Sequence, residues 1–156
     1  MDCTFGAGGH TCSLLKSGEC RVYAVDRDPL AIEIASVLSS RDEFYKRLVP
    51  CLTKFSSMYK VLRLKGVEDN SVDGILLDLG ASSMQFDDGD RGFSVTKDGP
   101  LDMRMDGMNS SRFTAAAAVN SLKEDELAMV LSNFAQEKDA GKLKIKLARG
   151  NKTRRI

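Results

Sequence analysis

The sequence predicts an α/β fold built on a parallel sheet. Short apolar runs alternate with helical patterns through the first half of the chain. Strand, helix, strand, helix, strand is the order that parallel sheets with right-handed crossovers produce. A glycine-rich turn, Gly6–His10, follows the first apolar stub, and the acids Asp26 and Asp78 close two later apolar runs. In such sheets ligands bind outside the carboxyl ends of the strands. All three features fall at predicted strand ends.

Met1–Phe5 reads as the stub of a first strand, and the turn after it leads into a helix near Thr11–Lys16. Arg21–Val25 reads as a second strand ending on Asp26. The next helix carries several start signals: Asp28 to cap it, Pro29 at its first position, and Ala31, Ile34, Ala35 and Leu38 at helical spacing. Arg47–Leu52 reads as a third strand. Phe55, Met58 and Leu62 mark one face of a helix that Gly66 ends. Asp73–Leu79, with Ile75-Leu76-Leu77 at its centre, has the pattern of a strand buried on both faces.

After Gly80 the pattern changes. Ala81–Asp106 is long, irregular and studded with Gly, Asp and Ser, the signature of a functional or disordered segment. Two helices are predicted beyond it. One covers roughly Thr114–Asn120. The other starts at Ser121, with Glu124 completing a capping box and Leu127, Val130, Leu131 and Phe134 forming an apolar stripe. The pair reads as the start of an inserted helical subdomain.

Composition narrows the class. The chain has 156 residues, 42% hydrophobic and 29% charged, with a net charge of +1. That is an ordinary globular balance and does not announce a nucleic-acid binder. No apolar run approaches the roughly 18 residues of a membrane span, so no membrane role is expected. Charge is unevenly placed: Gly141–Ile156 holds seven basic residues and no acid, whereas Asp87–Asp106 is rich in aspartate. The basic tail fits either RNA phosphates or plain solvation. The cysteines Cys3, Cys12, Cys20 and Cys51 form no metal-binding pair, and Asp87–Asp90 lacks calcium-loop spacing. No metal site is expected.

The segment D-C-T-F-G-A-G-G-H carries the chemistry of the first turn. Glycines at 6, 8 and 9 permit a tight turn and close approach of a ligand, and the following helix start offers N–H groups to a carboxylate or phosphate. The dinucleotide fingerprint G-x-G-x-x-G is incomplete because Thr11 occupies its third glycine position. A D-x-x-x-G-x-G-G pattern suits a methyltransferase loop that holds a methionine carboxylate and ammonium, with Asp2 near the ammonium. Asp26 is placed to accept from ribose hydroxyls, which suits either S-adenosylmethionine or NAD. Asp28 is assigned to capping. Asp78, leaving a strand, is a candidate to contact a ligand's amino group or to orient a substrate amine. His10, the sole histidine, belongs to the ligand loop or its packing more than to proton transfer.

Four strings together closely resemble the MraW-type family, the ribosomal RNA small subunit methyltransferases H: D-C-T-F-G-A-G-G-H-T, A-V-D-R-D-P, D-L-G-A-S-S-M-Q-F-D-D-G-D-R-G-F-S and K-D-G-P-L-D-M-R-M-D. The resemblance runs from Met1 to about Ala148. It implies a Rossmann-like class I methyltransferase sheet, S-adenosylmethionine as cofactor, and N4-methylation of a cytidine in small-subunit ribosomal RNA. It also implies that Gly8, Gly9 and His10 form the cofactor loop, that Asp26 binds the ribose, and that Asp78 and Gln85 are further cofactor contacts. Phe55, which its helical stripe places in the core, matches a phenylalanine beside the adenine, and both placements stand. Asp78 is also the candidate for orienting the amine or accepting its proton. Arg91–Phe93 and Gly99–Asp106 would line the substrate side.

The resulting organisation is a cofactor-binding core over 1–106, a partial helical subdomain over 107–148 and a basic tail over 149–156. Family members carry a segment before the first strand and continue well past this chain's last residue, so a chain truncated at both ends is expected, with an incomplete sheet and an exposed edge. Gln136–Ala140 resembles one further helix of the family. The S-S-M-Q variant points to the mitochondrial methyltransferase-like branch, hence to the mitochondrial matrix in a eukaryote and to the cytoplasm otherwise. The rival readings are a catalytically inactive fragment that binds cofactor or RNA, and an NAD-dependent oxidoreductase. No oligomeric state is implied.

Overall fold

The computed structural model describes residues 1–107 and 113–134. The basic tail and the helix expected at Gln136–Ala140 lie outside the described residues. Two compact units are present: Met1–Asp87 with Met105–Gly107, and a second holding Asp88–Arg104 and the described residues 113–134.

The first unit is a Rossmann-like α/β layer structure. Its regular elements are α1 (Gly9–Ser17), β1 (Val22–Asp26), α2 (Pro29–Ser39), β2 (Leu48–Leu52), α3 (Phe55–Leu64) and α4 (Ser83–Asp87). β1 and β2 pair in parallel, Val22 opposite Leu48 through Asp26 opposite Leu52. The first residues join as a bridge rather than a full strand, with Asp2 paired in parallel to Ala24 on one side and Leu76 on the other. The lateral order is therefore β2, β1, the Asp2 segment, the Leu76 segment. It reverses direction at the Asp2 segment, the arrangement that opens a ligand crevice at the strands' carboxyl ends.

Alternation along the strands feeds two cores, as the pleat requires. Val22, Ala24 and Leu48 point into a cluster with Phe5, Leu15, Ala31, Ala35 and Phe44, against α1 and α2. Val25 and Cys51 point the other way, with Leu62 and Val67, against the α3 side. Local signals explain the start of α2: the Asp28 carboxylate accepts from Leu30 N at 3.1 Å and Pro29 opens the helix. Arg47 ties the far end of the layer together by donating to the carbonyls of Leu15 at 2.6 Å and Cys20 at 3.2 Å.

Two expectations are corrected in this unit. Ile75, Leu77 and Leu79 are exposed, so Asp73–Leu79 is not a strand buried on both faces. Among the described residues it makes a single bridge, at Leu76, and an apolar run is buried only where neighbouring layers exist to cover it. Phe55 is 54% exposed while Leu62 is buried. The stripe reaches the core only from Met58 onward, because the first turn of α3 projects past the end of β2.

Burial raises the thiol pKa of both Cys3 and Cys51 above the ordinary 9.0, which suppresses the reactive thiolate. Cys20 is exposed and Cys12 half-buried. In the native protein at pH 8 an alkylating reagent is expected to label Cys20 first and Cys12 more slowly, with Cys3 and Cys51 reacting only after denaturant is added. Mass spectrometry of timed samples reads this directly, and early labelling of Cys51 would contradict the packing.

The second unit contains a closely folded loop and α5 (Ala115–Ser121) and α6 (Glu124–Phe134). Gly92 adopts φ +75°, and a Cβ there would lie 2.6 Å from both Asp102 N and Pro100 O, so only glycine lets the two passes of the loop meet. Met103 N donates to Arg91 O at 3.0 Å. The Arg104 guanidinium grips Asp102 through Nε at 2.8 Å and Nη2 at 2.6 Å. Asp102 O and Leu101 O then accept from Ala115 N and Ala116 N, and the Thr114 hydroxyl accepts from Ala117 N at 3.0 Å. These partners satisfy the first turn of α5. The expected cap at Ser121 is corrected: its hydroxyl donates back to Ala117 O. The turn before α6 is instead closed by the Glu126 carboxylate accepting from Lys123 N at 2.7 Å.

The hydrogen bond from Arg104 holds the Asp102 carboxyl below its ordinary 3.8. A depressed carboxyl contributes stability that is complete above its unfolded value and lost as pH falls through the folded one. The loop should therefore stay closed at pH 4 and open only below 3.8. Carboxyl-carbon NMR titration checks this, and Arg104→Gln should return the Asp102 midpoint toward 3.8.

Candidate functional site

The carboxyl ends of the parallel segments bring together residues that are far apart in sequence. The first loop is fixed from below by Asp2. Its carboxylate is fully buried, accepting from the Thr11 hydroxyl at 2.7 Å and from Thr4 N at 3.1 Å. Buried charge is tolerated only with such partners. Asp2 therefore braces the loop from within, a role the D-x-x-x-G pattern did not announce.

Gly8 is the residue before α1, at φ +85° and ψ 12°, and no side chain caps the helix. A helix start without a side-chain cap leaves its first-turn N–H groups to solvent or to an anionic ligand. Gly9 and His10 form that first turn, and both are exposed. Asp26, half-exposed at the end of β1, accepts from Gly6 N at 2.8 Å through one oxygen and from Asp28 N at 2.9 Å through the other. It thus ties the glycine loop to the β1–α2 turn. Each carboxylate oxygen keeps a further acceptor direction.

On the other side of the reversal point, Asp78 N donates to the Thr4 hydroxyl at 2.8 Å. Its exposed carboxylate lies 3.8 Å from His10 Nδ1, a separation that becomes an ion pair only when the imidazole is protonated. Asp78 and His10 thus face each other at the carboxyl ends of the parallel segments, both open to solvent. Phe55 presents its ring at the end of β2.

Gln85 occupies a different environment. It is 4% exposed, and its amide is used inside the protein. Nε2 donates to the Asp28 carboxylate at 2.8 Å and to Met105 O at 3.1 Å, while Oε1 accepts from Ser82 N at 3.1 Å. Asp28, assigned to capping, performs that role and anchors Gln85 as well.

Sequence reasoning missed one cluster. Asp106 is 4% exposed, and its Oδ2 accepts from Arg27 Nη2 at 2.7 Å and lies 3.2 Å from Lys54 Nζ. Arg27 follows Asp26 and Lys54 precedes Phe55. No local periodicity marks a contact between residues 79 apart. The only signal was the GPLDMRMD string itself, which ends on this aspartate. No group of three or more potential metal ligands occurs among the described residues. Among them, no helix is long and apolar enough to cross a membrane.

A family model described as the MraW methylase family matches residues 1–156. The chain belongs to the MraW methylase family. The chain is 52% identical over 144 residues to a probable methyltransferase-like protein 15 homolog of Drosophila melanogaster, covering 92% of this chain and 40% of that protein. It is 48% identical over 146 residues to the 12S rRNA N(4)-cytidine methyltransferase METTL15 of Bos taurus, covering 92% and 35%. It is 41% identical over 156 residues to the ribosomal RNA small subunit methyltransferase H of a Wolbachia of Drosophila simulans, covering 100% and 51%. The chain thus spans between 35% and 51% of the length of these relatives.

Proposed function

We propose that this chain binds S-adenosylmethionine at the carboxyl ends of its parallel segments and serves N4-methylation of a cytidine in small-subunit ribosomal RNA. The observation that carries the reading is the gathering, at the carboxyl ends of neighbouring parallel segments, of an uncapped helix start, a half-exposed acid closing β1, an exposed aromatic ring and an exposed carboxylate. Relatives named as 12S rRNA N(4)-cytidine and small-subunit rRNA methyltransferases support the substrate, and the methyltransferase-like relatives support the mitochondrial matrix as its place in a eukaryote.

The residues present fit the cofactor's chemistry. The first-turn N–H groups of α1, at Gly9 and His10 beside Gly8, suit a carboxylate. Asp26 suits two ribose hydroxyls, and the Phe55 face suits adenine. Gln85, which the family resemblance makes a cofactor contact, ties the β1–α2 turn to Met105 and Ser82. When bound, S-adenosylmethionine supplies a sulfonium-activated methyl group. Asp78 then has two uses for one carboxylate, a hydrogen bond to the ligand side and orientation of a cytosine exocyclic amine. That amine is a poor nucleophile because its lone pair is delocalised, so orientation and removal of its proton dominate the chain's contribution.

Isothermal titration with S-adenosylhomocysteine and with NAD tests the cofactor half, and binding of NAD alone would overturn it. Radiolabelled methyl transfer to undermethylated small subunits, comparing this chain with a family member of full length, tests the activity. Phe55→Ala is expected to weaken S-adenosylhomocysteine by about 10- to 100-fold, the range of aromatic stacking on a base. The melting temperature should stay within a few degrees, because the ring is already exposed. Unchanged affinity would remove Phe55 from the site.

A further inference from the structure

We infer that Asp106 is a positioning residue that sets the gap between the two turns on which an adenosine would rest. The inference builds on the cofactor reading above. Its geometry begins with one buried carboxylate oxygen shared by two cations, Arg27 Nη2 at 2.7 Å and Lys54 Nζ at 3.2 Å. Arg27 stands in the β1–α2 turn, next to the ribose acid Asp26. Lys54 is the residue before α3, next to the exposed ring of Phe55. A single anion therefore holds the two turns at a fixed spacing.

A second tie runs through the same short segment. Gln85 reaches from the Asp28 carboxylate at 2.8 Å to Met105 O at 3.1 Å, so Met105 and Asp106 are both fastened over the ends of β1 and β2. The two cations are about half exposed, whereas the carboxylate is almost fully buried. Without it the like charges of Arg27 and Lys54 would have no shared partner, and their long side chains would be released to solvent. Asp106 itself touches neither the ribose acid nor the ring; it acts through their neighbours.

A positioning role and a plain stabilising role differ in coupling. If Asp106 works by placing Asp26 and Phe55, the effect of losing it should shrink once the ring is gone; independent effects add. The test is a double-mutant cycle on the 156-residue chain with Asp106→Asn, Phe55→Ala and the double variant, read as S-adenosylhomocysteine affinity by titration calorimetry. Asp106→Asn is expected to weaken binding about tenfold or more in the wild-type background and under about threefold in the Phe55→Ala background. Equal losses in both backgrounds, or no loss in the first, overturn the inference and leave the cofactor reading intact. A wild-type chain that binds no S-adenosylhomocysteine overturns the cofactor reading and this inference with it. Should Asp106→Asn fail to fold, Lys54→Gln, which keeps the Arg27 pair, replaces it in the same cycle with the same two outcomes.

Discussion

Replacing Gly8 with alanine is expected to destabilise the fold by about 2–4 kcal/mol, whereas the same change at Gly9 leaves stability unchanged or slightly raised. Gly8 sits at φ +85°, and a Cβ there would lie 2.6 Å from Phe5 Cζ and 3.3 Å from Leu38 Cδ1. The left-handed backbone alone costs an L-residue about 1–2 kcal/mol. The Phe5 ring is buried in the α1–α2 cluster, so it cannot swing aside, and overpacking adds about 1–3 kcal/mol. Thermal unfolding should show a loss of roughly 5–15 °C.

Gly9 is different, since a Cβ there meets nothing within 4 Å and its φ is not in the left-handed region. Alanine in a first helical turn is favoured over glycine by up to about 1 kcal/mol. Nothing inside the protein requires glycine at this position, so the open space beside it suits a ligand. The Gly9→Ala variant should therefore fold at least as well as wild type yet bind S-adenosylhomocysteine about tenfold more weakly, through lost close approach. A variant with wild-type affinity would move the ligand away from this face of the loop.

The contrast between these two glycines shows where sequence reading stopped. Three glycines in D-C-T-F-G-A-G-G-H marked the turn, because a tight loop before a helix has a local signature. Which glycine serves the fold and which serves a ligand depends on Phe5 and Leu38, residues brought in by packing. The same division holds elsewhere. The Asp28 cap and Pro29 start of α2 were legible because a cap reaches only two or three residues. The Ser121 cap was misplaced because its hydroxyl has a competing local partner, Ala117 O, and Glu126 closes the turn instead. The burial of Ile75-Leu76-Leu77 was misjudged because an apolar run reports what a segment could bury, not what lies beside it. The Arg27–Lys54–Asp106 cluster had no local signature at all, since Coulomb partners 79 residues apart leave no period in the sequence. Asp26 was picked out as a candidate ribose acceptor, whereas its hydrogen bonds inside the loop were not foreseen.

With the ribose role proposed above added to its bonds inside the loop, Asp26 is the position where the largest loss of binding is expected. Asp26→Ala should lower S-adenosylhomocysteine affinity more than about 100-fold, because it removes two interactions with a charged acceptor, each worth about 1.5–3 kcal/mol. It also frees Gly6 N and Asp28 N, which the two carboxylate oxygens now hold at 2.8 and 2.9 Å. The carboxylate is half-exposed, so water replaces part of what is lost. Stability should fall by only about 1–2 kcal/mol, less than at Gly8.

Asp26→Asn separates the two roles. One amide oxygen can still accept from Gly6 N, but the amide nitrogen turns a donor toward Asp28 N, and both ribose hydroxyls can no longer be accepted at once. The asparagine variant should therefore melt nearer to wild type than the alanine variant does, while binding the nucleoside ligand almost as poorly. If both variants bound normally and only melted lower, Asp26 would be a loop brace like Asp2, and the ribose would have to be held elsewhere. Calorimetric titration and thermal unfolding on the same two samples distinguish these outcomes. They place the decisive chemistry on the acceptor count of one carboxylate, which already holds two backbone N–H groups and must still accept from a ligand.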